Sequence, residues 1–179
     1  MKILLHMCCG PCASAIVESL QADGHDVYGY FFNPNIHPLV EFRKRMDSAY
    51  KLANIKEMKM IGSPTYGLDD YLRNVVYREE NKCLICYSMR LNEAARMARV
   101  GNFDAFTSTL FISPHQNHEQ MIEIAKNSAK KESTKLYYQD FRKLFKRSIE
   151  LSKEYELYRQ QYCGCIYSEE ERYRHQKKI

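Results

Sequence analysis

No stretch of the 179-residue sequence approaches the ~20 consecutive apolar residues that a membrane-spanning helix needs. Its start, Met1-Lys2-Ile3-Leu4-Leu5-His6, lacks a charged leader followed by a long apolar run. A soluble, cytoplasmic protein is expected. Internal repeats, low-complexity tracts and Pro/Gly-rich linkers are also missing. One α/β domain over residues 1–179 is therefore expected, with a helix-rich tail over 142–179. A chain of this length buries roughly 70% of the surface its unfolded form exposes, enough for a core without covalent staples. None of its seven cysteines lies outside three short clusters. An odd count excludes complete internal pairing, and a reducing compartment directs clustered thiols towards metal or redox chemistry.

Charge is unevenly placed. Residues 1–125 carry 13 Lys/Arg against 14 Asp/Glu, whereas residues 126–179 carry 14 against 8. The excess sits in Arg142-Lys143, Lys146-Arg147 and the run from Arg172 to Lys178, interleaved with tyrosines at 137, 138, 155, 158, 162, 167 and 173. Such a segment can neutralise phosphates and stack on bases, so it is compatible with RNA. A solvated helical face gives the same pattern.

Strand-like and helix-like segments alternate. Lys2–Met7 is a short apolar run, followed by a helix ending near Gly24 and a β-rich run over His25–Phe32 closed by Asn33-Pro34-Asn35. Periodicity predicts a helix over 38–53, with Leu39, Phe42, Met46, Ala49 and Tyr50 on one face. A strand over Ile55–Ile61 ends at Gly62-Ser63-Pro64, and a helical region over 67–100 is broken near Asn81–Cys86. A strand over Phe103–Phe111 leads to Ser113-Pro114, then a helix over 116–130 and a strand over 134–138. This order implies a mostly parallel sheet with helices on both faces, whose ligands sit at the C-terminal ends of the strands.

The clusters are Cys8-Cys9-Gly10-Pro11-Cys12, Cys83-Leu84-Ile85-Cys86 and Cys163-Gly164-Cys165. Two thiolates from one preformed turn share a single ordering cost, which makes clustered cysteines better chelators than single ones. Cysteines serving as small buried hydrophobes would be scattered. Four thiolates suit zinc or an iron–sulfur cluster. Adjacent Cys8-Cys9 departs from a zinc knuckle, and Cys163-Gly164-Cys165 reads as a redox pair, for which zinc has no electrons; iron is favoured. A bridge across one glycine closes a small ring, which marks a labile bond.

Other residues have two readings each. His6 reads as a core histidine with one hydrogen bond, or as a proton source. His115 and His118 suit ligand contact, with helix capping by Ser113 the simpler account. Asn35, Ser108 and Thr109 are candidate base or ribose contacts. Asp104 and Asp140 are candidate proton donors or metal ligands, or turn residues. Tyr162 and Tyr167 either pack in the tail, or shield the redox pair or stack on a nucleobase.

Taken in order, Leu4-Leu5-His6-Met7-Cys8-Cys9-Gly10-Pro11-Cys12, Asn33-Pro34-Asn35-Ile36, Cys83-Leu84-Ile85-Cys86-Tyr87, Thr107-Ser108-Thr109-Leu110 with Ser113-Pro114, and Gln161-Tyr162-Cys163-Gly164-Cys165-Ile166-Tyr167-Ser168 resemble the cobalamin-independent epoxyqueuosine reductases. The resemblance implies a nucleotide-alpha-hydrolase-like sandwich that reduces epoxyqueuosine at the tRNA wobble position to queuosine, with no cobalamin. It implies a [4Fe–4S] cluster on Cys8, Cys9, Cys83 and Cys86, a catalytic redox pair at Cys163 and Cys165, and an external electron donor. Cys12 is left as a candidate ligand of an additional iron. Two competing readings are a zinc-containing thiol–disulfide oxidoreductase and a metal-stabilised RNA-binding module without catalysis.

Overall fold

The computed structural model describes residues 1–62 and 64–175. Ser63 of the expected turn, and Lys177 and Lys178 of the basic run, lie outside the described residues. Four strands, β1 (Lys2–His6), β2 (Asp26–Tyr30), β3 (Lys59–Ile61) and β4 (Ala105–Ser108), form an all-parallel sheet in the order β3-β2-β1-β4. β1 and β4 are almost wholly buried, as strands covered on both faces must be.

The helices are α1 (Gly10–Ala22), α2 (Leu39–Ile55), α3 (Leu68–Val75), α4 (Lys82–Val100), α5 (His118–Lys131), α6 (Phe145–Glu154) and α7 (Ile166–Tyr173). Right-handed crossovers put α1 and α2 on one face and α4 and α5 on the other. The packing follows that rule: α1 lies against α2 and α6, while α4 lies against α5, β1 and β4. The main core runs through Ile3, Leu4, Leu5, Ile16, Leu52, Leu91, Phe106 and Phe111. A smaller cluster of Tyr71, Val75, Cys86 and Cys165 joins α3, α4 and the start of α7.

Several elements differ from the sequence-based expectation. Ile55 ends α2 instead of opening a strand, and β3 starts only after a turn at Glu57 with φ of 51°. β4 stops at Ser108 because the Ser108 hydroxyl accepts a hydrogen bond from Leu110 N (3.1 Å), which caps a 3₁₀ turn over Thr109–Ile112. The expected strand over 134–138 shrinks to one bridge, Phe106 with Leu136. Thr134 N is still tied to Ala129 O at the end of α5 (3.0 Å), and a turn begins at Asp140, so too little extended chain remains for a ladder. The helical break falls at Tyr77, with φ of 63°, and α4 then runs unbroken from Lys82. Asn117, not Ser113, caps α5, accepting from Gln120 N (3.1 Å).

Gly10 opens α1 where it crosses α2. A Cβ there would run into the Ser48 carbonyl, part of a helix backbone that has little room to move. Gly10→Ala should therefore lower stability by ~1–3 kcal/mol, the usual cost of overpacking. Thermal melting should show a fall of several degrees, and an unchanged midpoint would mean that α1 and α2 separate freely.

Candidate metal and redox centre

Between β1 and β4 the sheet order reverses, so the helices that follow leave on opposite faces and a crevice opens at the strand ends. The chain enters it as Met7-Cys8-Cys9 from β1 and as Ser108-Thr109 from β4. Cys8 N donates to Thr109 Oγ1 (3.0 Å), and Asn33 Nδ2 donates to Met7 O (2.9 Å), which fixes the cysteine turn from both sides. Beneath it His6 is fully buried. Its Nε2 donates to Phe32 O (2.9 Å), so Nδ1 accepts from Ser108 Oγ (2.9 Å). Two bonds, not one, hold this ring.

A cavity of about 550 Å³ lies over the crevice, lined by Cys8, Cys12, Cys83, Cys86, Cys163 and Cys165. Cys9 is buried behind them, its Sγ 3.7 Å from that of Cys8. Among the described residues, the close sulfur group is Cys8, Cys9 and Cys12, all within 4.8 Å of one another. Cys83 and Cys86 share the cavity without joining that group. All seven cysteines are free thiols, Cys163 exposed and Cys165 buried.

Each cluster opens a helix: Cys9 and Cys12 at the start of α1, Cys83 in the first turn of α4 with Cys86 at the start of the second, and Cys165 as the N-cap of α7. Helix N-termini carry partial positive charge and favour anionic sulfur. Burial works against this. It pushes the Cys86 thiol up to about 12, and desolvation of the sulfurs where they face the cavity raises Cys83 and Cys163, residues otherwise exposed. Within the close group, hydrogen bonds from the Cys12 and Cys9 thiols hold Cys8 well below the ordinary thiol range. The bond given to Cys8 raises Cys12, and burial raises Cys9.

The third cluster is clamped from α2. Arg45, buried and ion-paired with Glu41 (2.7 Å), donates through Nη1 to Cys163 O (2.8 Å) and through Nη2 to Tyr162 O (2.9 Å). His37 N donates to Gly164 O (2.8 Å), and the Tyr162 hydroxyl donates to His37 O (2.5 Å). Gly164 has φ of +140° and lies close to the Arg45 guanidinium and Ile36, a conformation and a space that suit glycine.

The sequence reading did not single out Arg45, Arg90, Tyr71, Gln116 or Gln160, all of which line the cavity. Arg90 Nη2 donates to Cys86 Sγ (3.0 Å), Gln116 Nε2 to Cys163 Sγ (3.3 Å) and Gln160 Nε2 to Cys12 Sγ (3.4 Å). The one legible signal was the four-residue spacing from Cys86 to Arg90 on a helix. The Asn35 amide, at both its atoms, the Tyr71 hydroxyl and Gln116 Oε1 are buried here without a hydrogen-bond partner. Native interiors rarely leave such groups unpaired, so the cavity is equipped for a polar guest. Its thiol-rich lining equally suits a soft metal or cluster.

The other candidates divide between the cavity and the rest of the molecule. Asp104 accepts from Lys2 N (2.7 Å) at the N-terminal end of β1, the end away from the crevice. Asp140 is held by Arg142 (2.6 Å). Both act as local anchors. His118 meets the Tyr138 hydroxyl (3.1 Å), while His115, Thr109 and Tyr162 line the cavity. Tyr167 packs against the Tyr71–Cys86–Cys165 cluster.

Burial lowers the His6 pKa from 6.5 to about 4. A histidine held neutral in the folded state gives stability above pH 6.5 that is lost as pH falls through about 4, because the unfolded chain takes up the proton first. The loss amounts to about 3 kcal/mol. Denaturant unfolding of the metal-free chain across that window should show it, with a shallower slope for His6→Gln; equal slopes would refute the assignment.

The family model described as Epoxyqueuosine reductase QueH matches residues 3–171. Epoxyqueuosine reductase QueH of Dehalococcoides mccartyi is 40% identical over 172 residues, covering 96% of this chain and 94% of that protein. The protein of the same name from Haemophilus influenzae is 35% identical over 179 residues, covering 93% and 71%. A predicted subunit of tRNA methyltransferase from Methanocaldococcus jannaschii has a TM-score of 0.53 at 11% identity, covering 88% of this chain and 89% of that one. That likeness concerns the fold alone, a parallel sheet with helices on both faces. By the match along nearly its whole length, the chain belongs to the epoxyqueuosine reductase QueH family of oxidoreductases.

Proposed function

We propose that this chain reduces the epoxide of epoxyqueuosine at the tRNA wobble position to queuosine, in the cytoplasm, as one α/β domain with a catalytic tail. Cys8, Cys9, Cys83 and Cys86 would hold a [4Fe–4S] cluster, with Cys12 as ligand of an additional iron and Cys163 and Cys165 as the redox pair. The observation that carries this reading is the convergence of six cysteines, from three separate segments, on one cavity in a member of this family. No helix among the described residues is long and apolar enough to cross a membrane.

Converting an epoxide to an alkene releases its oxygen as water and consumes two electrons and two protons. Closing the Cys163–Cys165 dithiol to a disulfide releases the same two electrons and two protons, after which an external donor must restore it. A bound cluster would supply single-electron transfer. The chain's own residues prepare the site. Thr109 and Asn33 hold the Cys8 turn, and Arg45, paired with Glu41, holds the Cys163 backbone carbonyl. Asn35, Tyr71 and Gln116 offer unpaired polar atoms to the hydroxyls and epoxide oxygen of the modified nucleoside. On the tail, Arg142 and Arg147 are engaged by Asp140 and Glu18, whereas Lys143 and Lys146 carry no ion pair among the described residues and are the freer phosphate ligands.

Anaerobic incubation of the iron-loaded chain with epoxyqueuosine-containing tRNA and a reductant should remove one oxygen from the wobble nucleoside, read by mass spectrometry. Cys163→Ser and Cys165→Ser should bring turnover with the physiological donor to background while leaving the visible spectrum of the cluster unchanged. No oxygen loss by the parent chain would contradict the activity. Full turnover by Cys163→Ser would remove the pair from the reaction.

A further inference from the structure

Two arginines are buried at the cavity wall, and their charge balance differs. Arg45, 1% exposed, is neutralised by Glu41, whose other oxygen accepts from the Tyr158 hydroxyl (2.5 Å). Arg90, 2% exposed, has no ion-pair partner among the described residues. Its side-chain hydrogen bonds both go to Cys86, from Nη2 to Sγ (3.0 Å) and from Nε to the backbone carbonyl (3.3 Å). The other cation at the cavity, Lys82, is paired with Glu171 (3.1 Å). One fixed positive charge therefore sits inside a low-dielectric wall with no carboxylate to balance it, faced only by the cavity thiols. Burying a cation without a counter-charge is costly, and native folds retain one mainly where something anionic answers it.

We propose that Arg90 is the built-in counter-charge for an anionic metal–thiolate group in this cavity, a positioning residue that eases addition of an electron to that group. The inference rests on the iron–sulfur reading above. Four thiolates around a [4Fe–4S] core leave a net negative charge, and reduction deepens it. A cation donating to a ligand sulfur stabilises the reduced form more than the oxidised form and so raises the potential. Arg45 contributes little to this because Glu41 cancels its charge, and Gln116 and Gln160 supply only neutral N–H donors to sulfur. A guanidinium stays charged at any working pH, so the effect does not depend on titration of Arg90.

Arg90→Met replaces the charge by an apolar side chain, while Arg90→Lys keeps the charge and loses the planar fork. The sign of the stability change separates this role from a plain structural one. In the metal-free chain, Arg90→Met should melt higher than the parent, because a buried charge with no carboxylate partner has been removed. In the anaerobically loaded chain it should melt lower than the parent, and its midpoint potential should move to more negative values, with Arg90→Lys close to the parent. Redox titration followed by the visible and paramagnetic signals of the cluster reads the potential without recourse to turnover. A loaded Arg90→Met variant with the parent's potential, or one that melts lower in both states, would overturn the inference alone. A parent chain that takes up no iron and sulfide would overturn both the inference and the reading beneath it.

Discussion

Where β1 and β4 lie side by side in parallel, the chain leaves one strand through Met7-Cys8-Cys9 and the other through Ser108-Thr109. The helices that follow depart on opposite faces, and the space over the strand ends is lined by the loops and helix starts that meet there. That topological gap is the constraint on which the site depends. It lets the starts of α1, α4 and α7 reach one cavity, and each of those helix starts carries a cysteine cluster. Thr109 and Asn33 hold the first cluster to the sheet, and Arg45 with His37 holds the third.

Electrostatics gives the cavity its character. Burial favours neutral thiols, so most of the sulfurs there are protonated in the absence of a metal. Helix N-termini and the unpaired Arg90 favour the opposite state. A guest that takes the sulfurs as thiolates resolves the conflict by meeting both demands, its own cations offsetting the thiolates and its net charge answering the guanidinium. The unpaired polar atoms of Asn35, Tyr71 and Gln116 point to a second requirement, a polar organic group beside the sulfurs. Both requirements agree with an oxidoreductase of the epoxyqueuosine reductase family.

Much of this was legible in the sequence, for identifiable reasons. Apolar runs bounded by Gly, Pro and Asn marked β1, β2 and β4, and three cysteine clusters can be seen without coordinates. What could not be read depended on partners remote in sequence. Arg45 and Glu41 have the four-residue spacing of an ordinary exposed helical pair, and only the packing of residues 158–164 over them makes the pair internal. Arg90 likewise looks like a surface charge until α4 is laid against the sheet. The helix break was expected a few residues late, since it runs from Val76 to Asn81 around Tyr77, a residue type with no preference for a positive φ, whereas Cys83–Cys86 lies in regular helix at the start of α4. The strand over 134–138 had the right composition but not enough free chain to pair. Cys12 was read from the sequence as a candidate ligand of an additional iron, apart from the other cysteines, whereas its sulfur lies in the close group with Cys8 and Cys9.

The central claim is that these sulfurs converge to hold an iron–sulfur cluster, and metal content tests it most directly. The chain should be purified without oxygen, then assayed for iron, acid-labile sulfide and zinc alongside its visible spectrum. The account predicts a brown protein with about four sulfides and at least about four irons per chain. A colourless protein carrying zinc alone would contradict it.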